Sequence, residues 1–218
     1  MALTMLLREC LLEEAFSVRI ESEESREIAE ALSGKYSIAV MDVMLPQLGL
    51  ETLDASRGTS ILPVLMLTPH CDDLDRVAGL ELGADDSVAK PVTAREVIDR
   101  IRASLRRTQS VAERDGPDGV LVSGNLTMRP PQRRAEWRGI PLQLTSTEFS
   151  LLEILLRHAG HPVSKMELSK RALGKPFTRH DRSIDVHLSR VRRKLRTLAD
   201  GRSLIVAVGR LGYQLLRD

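Results

Sequence analysis

The chain has 218 residues, 42% of them apolar but only 3% aromatic, and a formal net charge of +2. That length suits two ordinary domains, and so few aromatics predict aliphatic cores. No apolar run is long enough for a membrane span, Arg8, Glu9, Glu13 and Glu14 break the N-terminus short of a signal peptide, and Cys10 and Cys71 form no CxxC pair, so a soluble, cytoplasmic protein with reduced thiols is expected.

The near-neutral total hides two unlike halves. Residues 1–107 hold 12 Lys/Arg against 19 Asp/Glu, a net of −7, and residues 108–218 hold 20 against 11, a net of +9. An acidic half joined to a basic half points to nucleic acid as the partner of the second.

In chain order, apolar residues at 3, 6, 7, 10 and 11 predict a first helix over 3–12. Alternation over 17–21 predicts a short strand, and 22–32 a helix ended by Gly34. Residues 36–41 form a continuous apolar run, the pattern of a strand buried in a parallel sheet. A loop with Pro46 and Gly49 leads to a weak helix near 50–57. A second buried strand is predicted at 63–68, a helix at 72–82 closed by Gly83, a short strand at 87–89, and a helix capped by Thr93 that runs to about Arg107. Strand and helix alternate, so this half is predicted to be a parallel sheet with helices on both faces. Ligands of such sheets sit at the carboxyl ends of strands. Asp42, Thr68 and Lys90 each fall at such an end.

Residues 108–119 are polar and close on Gly116-Pro117-Asp118-Gly119, which reads as a linker. Short strands are predicted around 120–126, 135–137 and 142–144. Helices follow at 146–157, capped by Thr145 with Glu148 three residues on, at 164–173 and at about 179–198. A closing hairpin pairs 203–208 with 213–216 around Gly209-Arg210-Leu211-Gly212. Three helices and a two-stranded ribbon make a winged helix-turn-helix plan.

In the last helix Ile184, Leu188, Val191, Leu195 and Leu198 step by 4, 3, 4 and 3, one buried stripe. Arg182, Ser189, Arg190, Arg193, Lys194 and Arg196 fall off it. A helix lying in the major groove needs that split, with apolar side chains toward its domain and donors toward phosphates and base edges. A solvated basic surface helix is the plainer alternative, and the arginine on the following hairpin tip argues against it. His158 and His161 sit at a helix end with no third ligand near in sequence, so no metal is expected there.

These residues carry a resemblance. Leu144-Thr145-Ser146-Thr147-Glu148-Phe149, the helix beginning Asp181-Arg182-Ser183-Ile184-Asp185-Val186-His187, and the terminal Gly-Tyr ribbon resemble the effector domain of OmpR/PhoB-family response regulators, and Leu173-Gly174-Lys175 is similar to the Cpx type. In the first half, Asp42-Val-Met-Leu-Pro46, Leu65-Met-Leu-Thr68, Gly79 to Asp86 and Lys90-Pro91 resemble a receiver domain, a flavodoxin-like α/β fold. The resemblance implies a receiver over 1–107, a linker over 108–119 and a winged-helix domain over 120–218. It implies a non-enzymatic regulator that binds double-stranded promoter DNA as a dimer, with a membrane sensor histidine kinase and RNA polymerase as its other partners. Asp42 would accept the phosphoryl group, Thr68 would bond a phosphoryl oxygen and Lys90 would pair with its charge. Arg190 and Arg192 would face bases or nearby phosphates, Ser183 and His187 would support on the DNA backbone, and Arg210 would sit on the wing tip, although here the order is Gly209-Arg210 where the family has Arg-Gly. Pairs Arg76–Glu96, Asp86–Arg100 and Glu81–Arg102 would form the face of a receiver dimer.

The resemblance also implies Mg²⁺ beside Asp42, held by an acidic pair at the end of a strand preceding the first helix. Met1-Ala2-Leu3 aligns with the start of that helix, so the pair is absent from this sequence. A start assigned too late and a reduced, metal-free receiver are the two readings, and the first is favoured because a missing central strand exceeds a domain's marginal stability. Ser87 in place of the aromatic switch residue, Val92 after Lys90-Pro91, and a loop after Pro46 one residue short of the family's support the second. Two alternatives follow: a winged-helix factor independent of phosphorylation, and an inert receiver-type partner that blocks a full-length regulator.

Overall fold

The computed structural model describes residues 2–21, 26, 29–30, 33–42, 62–69, 73–109, 119–195 and 203–217. The helix near 50–57, the loop after Pro46 and most of the linker lie outside them.

The first unit is built on a three-stranded parallel sheet. Its strands β1 (Ala39–Asp42), β2 (Val64–Thr68) and β3 (Asp86–Ala89) lie in chain order. Helix α1 (Ala2–Glu13) precedes the sheet, α2 (Asp73–Leu82) joins β2 to β3, and α3 (Ala94–Gln109) follows. Successive side chains of a strand alternate between faces, and β2 is buried on both. Leu65 and Leu67 face one side, with Leu7 and Leu11 of α1 and Val97, Ile98 and Ile101 of α3. Val64 and Met66 face the other, with Leu80 and Ala84. Helix α2 approaches closely at Gly79, where a Cβ would come within 2.6 Å of the Met66 methyl carbon.

The strand expected at 17–21 is not formed, and among the described residues this segment joins no ladder. Its side chains are used for packing instead, with Phe16 and Val18 partly buried on the core. A strand is defined by its neighbour as much as by its own pattern.

The second unit opens with an antiparallel sheet of β4 (Leu121–Ser123), β5 (Leu126–Arg129), β6 (Arg134–Trp137) and β7 (Ile140–Pro141). The run predicted as one strand over 120–126 is two strands around a turn at Gly124. Helices α4 (Ser146–Arg157), α5 (Lys165–Leu168) and α6 (Ser183–Lys194) follow, then the hairpin β8 (Ile205–Val208) and β9 (Gly212–Leu215). The start of α4 is fixed by a capping box. Thr145 accepts from the Glu148 N–H, and the Glu148 carboxylate accepts from the Thr145 N–H at 2.8 Å. Helix α5 runs into a π turn over Ser169–Leu173 that ends at Gly174, whose φ of +65° is left-handed. One aliphatic core joins these parts, including Leu126, Met128, Trp137, Leu151, Leu155, Leu168, Leu188 and Leu215, all nearly or fully buried. Gly212 lets the hairpin close on that core. Its φ is +123°, and a Cβ there would lie 2.1 Å from the Val163 carbonyl oxygen, beside the bridge between Val163 and Tyr213.

Candidate phosphoacceptor pocket and nucleic-acid interface

Parallel register brings three strand ends to one edge of the first unit. Asp42 lies beside Leu67, Thr68 lies beside Ala89, and the Lys90 N–H donates to the Thr68 carbonyl at 2.9 Å. The Lys90 ammonium forms an ion pair with the Asp42 carboxylate. Both side chains are partly open to solvent, whereas Thr68 is buried and its hydroxyl is 3.4 Å from the Val88 carbonyl. The convergence expected of Asp42, Thr68 and Lys90 is therefore present as geometry. It offers one carboxylate oxygen at a surface, a cation beside it and a hydroxyl one strand away.

The same residues do not fit a magnesium site. Mg²⁺ takes an octahedral set of oxygen ligands. Here the Asp42 charge is already met by Lys90, and no group of three His, Cys, Asp or Glu among the described residues could hold a metal ion. Asp85 and Asp86 are no substitute, because they lie at the opposite end of β3.

Those two acids instead reach the second unit. The Asp85 carboxylate accepts from the Thr147 N–H at 2.8 Å with one oxygen and from the Val64 N–H at 3.0 Å with the other. The Thr147 hydroxyl donates to the Asp85 carbonyl at 3.1 Å. Asp86 accepts from the Lys175 ammonium at 3.0 Å and faces Arg100 of its own receiver at 3.4 Å. Lys175 is also paired with Asp181 at 3.1 Å. All of Asp85, Asp86, Thr147, Lys175 and Asp181 are buried.

Helix α6 lies under this contact, packed on α2. Val186 completes the apolar cluster of Val64, Met66, Leu80 and Ala84 on the receiver sheet. His187 is 1% exposed, and among the described residues neither ring nitrogen has a hydrogen-bond partner. Burial drives its pKa down to about 4, against the opposing pull of Glu148, Asp85 and Asp86. Arg190 donates from Nε to the Glu148 carboxylate at 2.7 Å, and Lys194 reaches the other Glu148 oxygen. Burial would raise the Glu148 pKa, but Lys194, the Thr145 N–H and Arg190 together hold it below its ordinary value.

Ser183, His187 and Arg190 do not face solvent in this arrangement. Ser183 is tied to Asp181, which accepts from its N–H at 2.9 Å and its hydroxyl at 2.6 Å. Arg192 is half-buried against the hairpin, donating to the Ile205 carbonyl at 2.9 Å and lying 5.3 Å from the Tyr213 ring centre. Arg182, Ser189, Arg193 and Arg210 are exposed, and Lys194 is half-buried. Of the residues expected on the dimer face, Asp86 and Arg100 lie 3.4 Å apart within the chain. Arg102 pairs with Glu14, just past the end of α1, while Glu81 and Glu96 are exposed. The Arg76 side chain lies outside the described residues. Asp85, Thr147, Lys175 and Glu148 were not marked as functional by the sequence, and no local pattern distinguishes them from capping and surface residues.

Comparison with known proteins fixes the family. Residues 1–102 match the response regulator receiver domain, and residues 139–215 match the C-terminal domain of transcriptional regulatory proteins. The transcriptional regulatory protein CpxR of Escherichia coli K12 is 40% identical over 98% of this chain and 94% of its own. The chain belongs to the OmpR/PhoB family of response regulators. Another relative, the sensory transduction protein RegX3 of Mycolicibacterium smegmatis, is 36% identical over 94% of this chain and 90% of its own. The structure of a RitR mutant is similar over 100% of this chain and 95% of that one, with a TM-score of 0.79 at 19% identity, so the likeness is one of fold. The α/β receiver and winged-helix plan expected for this OmpR/PhoB regulator is therefore borne out. No helix among the described residues is long and apolar enough to cross a membrane.

Proposed function

We propose that this response regulator controls transcription by binding promoter DNA through α6 and the β8–β9 hairpin, and that the receiver covers α6 until the domains part. The observation that carries this reading is the burial of Val186 in the receiver's own apolar cluster, latched by Asp85–Thr147 and Asp86–Lys175. DNA phosphates and bases cannot reach His187 or Arg190 while that contact stands. In the open form Arg182, Ser183, His187, Ser189, Arg190, Arg192, Arg193 and Lys194 supply the basic face, with Arg210 on the hairpin tip. Opening also frees Asp86 for the two-fold receiver dimer, so closure and dimerisation compete for one carboxylate.

Asp42 is the acceptor in this reading. Its oxygen attacks phosphorus of a histidine kinase's phosphohistidine, and the imidazole leaves as the phosphoryl bond forms. Lys90 shifts from the carboxylate to the added charge, and the Thr68 hydroxyl donates to a phosphoryl oxygen. The test is intact mass after incubation with a phosphohistidine or acyl-phosphate donor. The parent gains one phosphoryl group and an Asp42→Ala variant gains none; equal uptake by both would remove Asp42 from the role.

A second reading has its own observation. The described residues bring one carboxylate, already neutralised by Lys90, to the strand ends. A receiver of that kind would regulate α6 without phosphorylation, through the interdomain contact alone.

A further inference from the structure

We propose that the contact between receiver and α6 is a proton-sensitive latch, closed at neutral pH and opened by mild acid through protonation of His187. The inference rests on the closed-state reading above and adds the signal that opens it.

The geometry is that of a base placed where its charged form has no support. His187 follows Val186 on α6 at the domain contact, fully enclosed within reach of Glu148 and of the receiver's Asp85 and Asp86, and among the described residues neither ring nitrogen has a hydrogen-bond partner. A buried polar group without a partner is rare and costly, and a buried charge without one is more so. The charged groups that act on it come from three segments packed around it. Glu148 comes from α4, Asp85 and Asp86 from the start of β3, and Lys175 from the segment after the π turn. Each is already engaged: Glu148 by Arg190 and Lys194, Asp85 by Thr147 and Val64, Asp86 by Lys175 and Arg100. Among the described side chains of α2, Leu80 and Val77 belong to the neighbouring apolar cluster, and Glu81 is exposed. The acids therefore soften the burial of a cation at His187 but do not hydrogen-bond it.

The sign follows from linkage. In the closed form burial holds His187 near a pKa of about 4, and in the open form it returns toward its ordinary 6.5. The closed form binds fewer protons, so closure is fully favoured above 6.5 and loses ground as pH falls from 6.5 toward 4. Between pH 7.5 and 5.5 the ratio of open to closed molecules rises about tenfold. No carboxylate in the contact needs to titrate in that window.

The experiment is single-molecule energy transfer on the full chain, with Cys10 and Cys71 changed to serine and dyes on cysteines placed at the exposed positions Lys35 and Arg134. Picomolar dilution excludes dimers. The expected result is a dominant closed population at pH 7.5, a rise of about tenfold in the open-to-closed ratio at pH 5.5, and a flat ratio in a His187→Gln variant. A parent ratio that changes less than about twofold, or a variant that tracks the parent, overturns the proposal. Should the variant not fold, NMR titration of the His187 ring in the parent decides, since a midpoint near 6.5 rather than below 5 overturns it equally. Absence of any closed population at pH 7.5, or a closed population unmoved by added duplex DNA, would sink the closed-state reading and the proton latch with it. A populated, DNA-sensitive closed state with no pH response sinks the latch alone.

Discussion

Replacing Asp85 with Asn isolates the contact that covers α6. One Asp85 oxygen holds the Val64 N–H at 3.0 Å inside the receiver, and the other holds the Thr147 N–H at 2.8 Å across the domains. Asparagine keeps one acceptor and gains a two-proton donor in place of the other. The carbonyl stays with Val64, which is bonded in open and closed forms alike, and the NH₂ then points at the Thr147 N–H. Loss of a hydrogen bond to a charged acceptor is worth about 1.5–3 kcal/mol, and only the closed form loses it. That shifts the closed-to-open ratio by roughly 10- to 100-fold. Apparent DNA affinity scales with the competent fraction, so binding should tighten by up to the same factor until the open form dominates. Fluorescence anisotropy with a generic duplex at fixed low salt reads this without knowledge of the operator, because non-specific binding runs through phosphates. The control is Asp99→Asn, which makes the same charge change at an exposed position on α3. Binding by Asp85→Asn within about twofold of that control would refute the idea that the receiver holds α6 back.

Glu148 is completely buried and is held by the Thr145 N–H, Arg190 and Lys194, so Glu148→Ala should destabilise the effector domain by about 3–5 kcal/mol in denaturant titration. Because its pKa is lowered in the fold, its contribution is present above the ordinary value of 4.5 and is lost as pH falls through that value and below. The acid limb of the parent's stability curve should therefore flatten when the residue is removed. Gly212→Ala places a Cβ against the Val163 backbone at a left-handed φ, and strain of about 1–3 kcal/mol before any clash should lower the melting temperature clearly, whereas Gly139→Ala, with open space around it, should cost less. Tyr213→Phe removes the 2.6 Å bond to Asp185, so a loss of about 1.5–3 kcal/mol in the same assay is expected. No measurable change would mean that Lys165, which also pairs with Asp185, suffices.

The chain itself determined the parallel α/β plan, the capping box that starts α4, and the gathering of Asp42, Thr68 and Lys90 at one sheet edge. These follow from local rules: strand runs buried on both faces, a Thr and a Glu three apart, and parallel strands that all end at the same side. Helix α6 shows where such rules stop. Its 4-3 spacing reveals the face toward its own core, but a helix held between two domains buries a second face, and Val186 sits on it. Periodicity cannot announce that, since Asp86 and Lys175 lie 89 residues apart and no local pattern links them. The last helix starts at Ser183 rather than near 179 for a related reason, and the helix over 164–173 forms as an α turn over Lys165–Leu168 that continues as π over Ser169–Leu173. The Ser183 N–H and hydroxyl donate to the Asp181 carboxylate and set that start against backbone propensity, and the Ser169 hydroxyl donates to the Lys175 carbonyl just past the π turn. Tertiary structure alone decided that Asp86 meets the effector domain's Lys175 in this arrangement. Its burial beside Lys175 and Arg100 makes a paired charge stable where an unpaired one would not be.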